Sequence, residues 1–232
     1  MKTEIVFEDK DILVIRKPAG LATQTSRVGQ ADVVSELKNY LAKQSPQKGQ
    51  PYLGVIHRLD QPVEGLLVFA KNKSAAATLT KQLTEGGENA LNKQYLAVLC
   101  GKPEQDQGEL VDHLVKKEMV AEVVDPGTKD ARKAVLSYKI IGEDPEKNIS
   151  LAEITIQTGR FHQIRVQMSH AGYPLLGDGK YPSEESKLKS MELMVRNVAL
   201  CANRLQLKHP TTGKDMTFTC EPEGKVFKRF EV

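Results

Sequence analysis

Nothing in this chain of 232 residues approaches the run of about 20 apolar residues that a membrane span requires. The opening Met1-Lys2-Thr3-Glu4-Ile5 passes straight into acidic, strand-like sequence, with no apolar h-region and no small-residue cleavage site, so secretion is not expected. Cysteine is scarce. Cys100, Cys201 and Cys220 are odd in number, far apart and set in apolar stretches, which speaks against a disulfide framework and suits reduced core thiols of a cytoplasmic protein. A zinc site has little support, because His-Glu-x-x-His and paired Cys-x-x-Cys are missing and the five histidines are scattered. Gly-x-Gly-x-x-Gly, Gly-x-x-x-x-Gly-Lys-[Ser/Thr] and the Gly-x-Ser-x-Gly nucleophile elbow are missing too. Chemistry without metal or cofactor remains. Charge of one sign is also lacking: 33 Lys and Arg against 30 Asp and Glu leave +3, which permits a nucleic-acid partner without demanding one.

What is present describes a soluble globular protein, with 40% hydrophobic and 27% charged residues and a mean hydropathy of −0.39. A chain of this length buries roughly 70–75% of its unfolded surface and needs no staple. Ile5 to Phe7 and Ile12 to Ile15 read as strands around an acidic turn, stopped by Lys17-Pro18-Ala19-Gly20. Asp32 is placed to cap a helix with apolar Val33, Val34, Leu37, Tyr40 and Leu41, and Gln44 to Pro51 reads as a surface loop. Leu66 to Ala70 is an unbroken apolar run, hence a buried strand; Asn72 or Ser74 can cap the helix after it, which runs to about Leu83 and ends at Gly86-Gly87. Further strands are expected at Gln94 to Leu99, Val120 to Val124, Ala134 to Ile141 and Ile149 to Ile156, with a short helix from Phe161 to His170. Leu205 to Leu207 and Met216 to Thr219 flank Pro210-Thr211-Thr212-Gly213 as a hairpin. Strands outnumber helices without strict alternation, which favours an α+β architecture with a large, mostly antiparallel sheet. No linker splits the chain, so residues 1–232 are expected to be a single domain.

Three stretches could carry chemistry. His57-Arg58-Leu59-Asp60-Gln61-Pro62-Val63-Glu64-Gly65 is a polar loop delivered onto the apolar strand, where rigid scaffolds present catalytic groups; spacing alone favours a surface turn with an Arg58–Asp60 pair. Thr158-Gly159-Arg160-Phe161-His162-Gln163-Ile164-Arg165 offers a close turn, a helix start and two guanidinium forks suited to phosphate or carboxylate, or else a solvated basic helix start. Tyr95, in the alternating Lys93-Gln94-Tyr95-Leu96-Ala97-Val98, is by pattern alone a core residue with its hydroxyl bonded, or an active-site group. Gly177-Asp178-Gly179 reads as a turn.

Together these stretches resemble the RluA-like family of RNA pseudouridine synthases, in order along nearly the whole chain. Ile5 to Gly20 is similar to the family's opening, His57-Arg58-Leu59-Asp60 with Gly65 to Lys71 to its central motif, Lys93 to Val98 to its tyrosine motif, and Thr158 to Val166 with Gly172 to Asp178 to its third motif. The resemblance implies a pseudouridine synthase fold with flanking helices and a central active-site cleft, and an isomerase that turns uridine in RNA into pseudouridine without cofactor or metal. It implies Asp60 as the essential carboxylate, Arg165 as its cationic partner, and Tyr95 stacked on the flipped uracil, relaying the proton from carbon 5. Arg58 would fill the space the base vacates; His57, Arg160 and His162 complete the expected RNA-binding set, with His57 structural. The expected partner is a structured ribosomal or transfer RNA stem-loop, with neither DNA nor membrane, and the chain a monomer without the small N-terminal RNA-binding domain of many relatives. Val63-Glu64 departs from the family's usual Thr-Ser, which bears on substrate choice. That departure also motivates a rival expectation, a non-catalytic RNA-binding module that keeps the fold. A third, a small-nucleoside hydrolase pairing Asp60 with Glu64, is disfavoured by their spacing across a proline.

Overall fold

The structure, a computed structural model, describes residues 1–25, 29–44, 49–85, 87 and 90–230. The chain forms two compact units, Met1–Lys93 with Ala202–Glu221, and Gln94–Cys201 with Pro222–Val232. In the first, β1 (Glu4–Glu8) and β2 (Ile12–Lys17) make an antiparallel hairpin with Ile5 opposite Ile15. Asp9 closes its turn, Oδ1 accepting from the N–H groups of Asp11 and Ile12 at 2.8 Å each. Helix α1 (Val33–Gln44) starts where Asp32 Oδ1 accepts from Ser35 N at 2.7 Å, an N-cap that satisfies a donor with no partner inside the helix. Part of the loop expected after it, and Gly86 at the expected helix end, lie outside the described residues.

Short β3 (Gly54–Val55) and β2 both pair antiparallel with β4 (Glu64–Ala70), which is buried at every position. Full burial on two faces explains why its sequence is an unbroken apolar run instead of an alternation. Gly65 within it sits at φ 121°, and a Cβ there would come 2.5 Å from the backbone N and O of Ala202, so only glycine fits. Helix α2 (Lys73–Glu85), capped by Asn72 Oδ1 on Ala75 N at 2.8 Å, packs Ala75 and Leu79 against Val14, Leu66 and Val68. Each large side chain removed from water there contributes about 1.5–3 kcal/mol.

The second unit is an antiparallel sheet in the order β5 (Asn92–Cys100), β9 (Ile149–Ile156), β8 (Arg132–Asp144), β6 (Gln107–Lys117) and β7 (Val120–Val124), the first two residues of β5 belonging to the first unit. It carries α3 (Gln163–His170) and α4 (Glu184–Glu192). Strand β10 (Leu200–Lys208) then runs back into the first unit beside β4, and β11 (Asp215–Thr219) pairs with it as the expected hairpin, Lys208 opposite Asp215.

Strand β6, helix α4, the short β3 and a 3-10 turn at Lys225–Arg229 lie outside the sequence expectations. Strand β6 is largely exposed, and its charged positions blur the period of two. Helix α4 buries only Ser186, so it has no apolar stripe; its start is held by a capping box between Ser183 and Ser186. Helix α3 begins at Gln163, two residues later than expected, because His162 takes a left-handed φ of 54°. Among the described residues no helix is long and apolar enough to cross a membrane.

Candidate active site

Asp60 lies half-buried between β3 and β4 in the first unit, and the backbone on both sides of it is stitched down. Thr23 Oγ1 donates to Leu59 O at 2.9 Å and accepts from Leu59 N at 3.2 Å. Gly20 N donates to Gln61 O at 2.8 Å, and Gln61 Nε2 answers to Gly20 O at 3.0 Å. Asp60 O itself accepts from Val63 N at 3.1 Å. The segment 17–23, expected only to stop a strand, is therefore the bracket of the carboxylate's loop.

Lys17 supplies more than a bond. Its side chain is fully buried, and Nζ donates to the carbonyls of Pro18, Leu21 and Gln61 at 2.9, 2.7 and 3.0 Å. Burial pushes its pKa from 10.5 down to about 8, and the negative charges of Asp60 and Glu64 hold it from falling further. A buried ammonium thus stays charged at neutral pH within electrostatic reach of Asp60. Val63 and Glu64, the departure from the family pattern, are both buried; Glu64 acts on the Lys17 charge instead of facing the surface.

Arg58 is exposed between buried His57 and Leu59, with no ion pair among the described residues. His57 is buried, and burial first, then the charge of Lys93, pushes its pKa down to about 3. It is neutral near pH 7 and serves neither as a charged RNA contact nor as a proton carrier there. Its Nε2 accepts from Val68 N at 3.4 Å, which puts the proton on Nδ1, a buried donor with no partner among the described residues. Burial also lowers Lys93, to about 8.

In the second unit, Tyr95 is buried on β5 opposite Ile154 of β9. Arg165 is buried on α3, and its fork is met by Asp178, Nε to Oδ2 and Nη2 to Oδ1, each at 2.7 Å. Sequence reading passed over Asp178 as a turn residue. Burial pushes its carboxyl up, but the Arg165 guanidinium and the N–H groups of Lys180 and Tyr181 outweigh that and leave it below the usual aspartate value. Gln163, also missed, organises the turn before α3: Oε1 accepts from Thr158 Oγ1 at 2.8 Å and Arg160 N at 2.9 Å, while Nε2 donates to Val135 O at 3.1 Å. Arg160 is exposed, as RNA contact requires, whereas His162 is buried with its ring against Phe161 and Nδ1 2.7 Å from Tyr181 Oη. Both His57 and His162 are buried with internal partners, which suits the structural role expected of His57 and gives His162 a part in orienting this loop.

Asp9, Asp11 and His209 bring ligand-type atoms within 4.8 Å of one another, yet each is already engaged. Asp11 accepts from Asn72 Nδ2 and Thr211 Oγ1 at 2.8 and 2.7 Å. His209 Nδ1 accepts from Thr212 N at 3.1 Å, which leaves the proton on Nε2, 2.7 Å from Asp9 Oδ2. The trio is a latch between two turns of the first unit, not a vacant metal cage.

Residues 11–170, a span that includes Asp60, Tyr95 and Arg165, match the sequence model of the RNA pseudouridylate synthase family. The chain belongs to that family. It is 36% identical over 226 residues to ribosomal large subunit pseudouridine synthase D of Zymomonas mobilis, covering 94% of this chain and 68% of that protein. It is 33% identical over 213 residues to ribosomal large subunit pseudouridine synthase C of Rickettsia bellii, covering 91% and 66%. The chain thus spans about two thirds of the length of these relatives. The solved structure of human RNA pseudouridylate synthase domain containing 4 superposes with a TM-score of 0.76 at 25% identity, over 95% of this chain and 89% of that one. The α+β fold is that of RNA pseudouridine synthases, and the reaction class is isomerisation of uridine in RNA.

For this pseudouridine synthase, the Lys17 charge gives a pH-dependent stability of definite sign. A lysine whose folded pKa is about 8 against 10.5 binds its proton more weakly folded than unfolded, so stability rises with pH from about 8 towards 10.5. Lys93 adds a rise of the same sign. In E64Q one carboxylate that supports Lys17 is gone, so the variant's melting temperature should fall most at neutral pH and converge on the wild type as pH approaches 10.5. Melting curves across that range are the check; superimposable pH profiles for E64Q and wild type would remove Glu64 from the neighbourhood of Lys17.

Proposed function

We propose that this protein converts uridine to pseudouridine in large-subunit ribosomal RNA, with Asp60, Tyr95 and Arg165 as its catalytic residues and residues 1–232 as one catalytic domain. The C1′–N1 bond breaks, the uracil turns, and C1′ joins C5, which loses a proton while N1 gains one. Asp60 acts on the ribose, either at C1′ or on the 2′ proton. Tyr95 packs on the base and relays the C5 proton, Arg165 orients the reacting groups, and Arg58 takes the place of the extruded base. The observation that carries this reading is the bracketed loop of Asp60, with its carboxylate supported by the desolvated ammonium of Lys17. A protein that only binds RNA gains nothing from a buried cation kept within electrostatic reach of a carboxylate that would face RNA phosphates. The names of the relatives favour large-subunit ribosomal RNA over transfer RNA as substrate. Cys100, Cys201 and Cys220 are thiols, which supports a reducing, cytoplasmic setting.

The test is to treat in vitro transcripts of large-subunit ribosomal RNA and of transfer RNA with the protein and map pseudouridine by mass spectrometry. Discrete new sites in the ribosomal transcript are expected. Binding without product in either RNA would move the protein to the non-catalytic reading, and product confined to transfer RNA would overturn the substrate.

A further inference from the structure

One face of the second unit carries a small apolar cluster, Leu114, Ala121, Ala134 and Val166, with Phe161 and Tyr181 packed on it. Exposed cations surround this cluster. Lys116 stands two residues beyond Leu114 on β6, hence on the same face, and its ammonium lies 4.8 Å from the centre of the Phe161 ring. Arg132 is directly opposite Leu114 in the β6–β8 register, so it too projects to that face. Arg160 precedes Phe161, and its Nε donates to Lys133 O at 3.0 Å. Lys180 precedes Tyr181, and its ammonium donates to the carbonyl of Met119 in the β6–β7 turn.

Among the described residues none of these four cations is ion-paired. Three carboxylates on these elements are engaged elsewhere: Asp112 with Gln167, Glu122 with Lys117 and Asp178 with Arg165. The cations are also mounted on a stiff base. Phe161 stacks on His162 at 3.8 Å between ring centres, His162 is fixed by the Tyr181 hydroxyl, and Arg165 lies 5.4 Å over the Tyr181 ring. Phe161 and His162, in the turn before α3, are thereby fixed against Tyr181 from the segment before α4.

We propose that Lys116, Arg132, Arg160 and Lys180 form a docking strip for the phosphate backbone of the RNA substrate, with Phe161 as the residue that positions Lys116. Unpaired cations fixed along one face suit a polyanion whose charges repeat, because each contact releases counterions without first breaking a protein ion pair. The identity of that polyanion as RNA rests on the isomerase reading above. The contacts read backbone, so the strip adds affinity and register and leaves the choice of uridine to other residues.

The experiment compares wild type, K116Q/R132Q and the control K73Q/K228Q, which removes two exposed lysines elsewhere. The probe is a fluorescein-labelled stem-loop of large-subunit ribosomal RNA, followed by anisotropy over a range of potassium chloride concentrations. Each lost phosphate contact should lower the slope of log affinity against log salt by about 0.7–0.9 and weaken binding about four- to five-fold near 0.15 M salt. K116Q/R132Q should therefore bind about 15- to 25-fold more weakly with a slope reduced by about 1.5, and the control should match wild type. An unchanged slope in K116Q/R132Q, or an equal loss in the control, overturns the strip. Pseudouridine is assayed in the same RNA: a reduced slope with no product from wild type leaves the strip standing and removes the isomerase, while product with an unmoved slope does the reverse.

Discussion

Asp60→Asn is expected to abolish pseudouridine formation while leaving the protein folded. The substitution keeps the shape of the side chain and removes only the charge, on a half-buried loop whose backbone is held by Thr23, Gly20 and Lys17. A positioned carboxylate acting as base contributes about 10²–10⁴ in rate, and one that forms a bond to the sugar contributes more, so a loss of at least about 10³-fold is expected. Stability should change little, falling modestly because Lys17 loses one of the two negative charges that support it. The measurement pairs product formation on ribosomal transcript with a melting curve. Residual turnover within ten-fold of wild type in a folded D60N protein would falsify the assignment of Asp60. Unchanged RNA affinity in the inactive variant is the companion result, because the cations of the docking strip belong to a different part of the chain.

Much of the fold could be read in the sequence wherever burial was two-sided or turn chemistry was local. Strand β4 is legible because all its positions are buried, and the starts of α1 and α2 because Asp32 and Asn72 satisfy helix donors three residues away. Strand β6 and helix α4 are the converse: neither buries a continuous face, so periodicity carries no signal. For α4, Ser183-Glu184-Glu185-Ser186 was the available clue, a cap without a stripe behind it. The late start of α3 depends on the left-handed φ of His162, which is held by partners at Phe161 and Tyr181 and not by any residue preference.

The site divides along the same line. Asp60, Tyr95 and Arg165 are visible because their motifs are local strings. Their supports come from distant sequence. Lys17 before Pro18 looks like the end of a strand, and what makes it an active-loop cation is burial against carbonyls of Leu21 and Gln61 and the charges of Asp60 and Glu64. Asp178 between two glycines looks like a turn. Gly177 has φ 72°, and a Cβ there would fall 2.0 Å from Asn197 O, so the glycine is demanded by close packing, and the aspartate beside it is delivered to Arg165. A buried arginine in a motif should prompt a search for its carboxylate along the rest of the chain; that rule would have found Asp178.

The same pair carries the second large expected effect. Asp178→Asn removes the carboxylate from a guanidinium only 3% exposed, and breaking a buried pair of this kind costs about 3–5 kcal/mol. For a chain of this size that is a fall in melting temperature of about 6–20 °C. The pair also has a pH signature. Asp178 titrates below its ordinary 3.8, so its contribution is fully present above that value and is lost as pH falls through the lower, folded value; in D178N this part of the acid limb should vanish. Activity separates positioning from mere stability: at a temperature where D178N is still folded, kcat should drop, because the arginine fork is no longer held in plane, while RNA affinity at the docking strip persists. Replacing both partners by apolar residues of similar size, R165M/D178L, should recover most of the lost stability, since no charge is then stranded, and recover none of the activity. A double variant as unstable as D178N would mean that the fold needs this ion pair itself, and full activity in folded D178N would mean that Arg165 is placed by something other than Asp178.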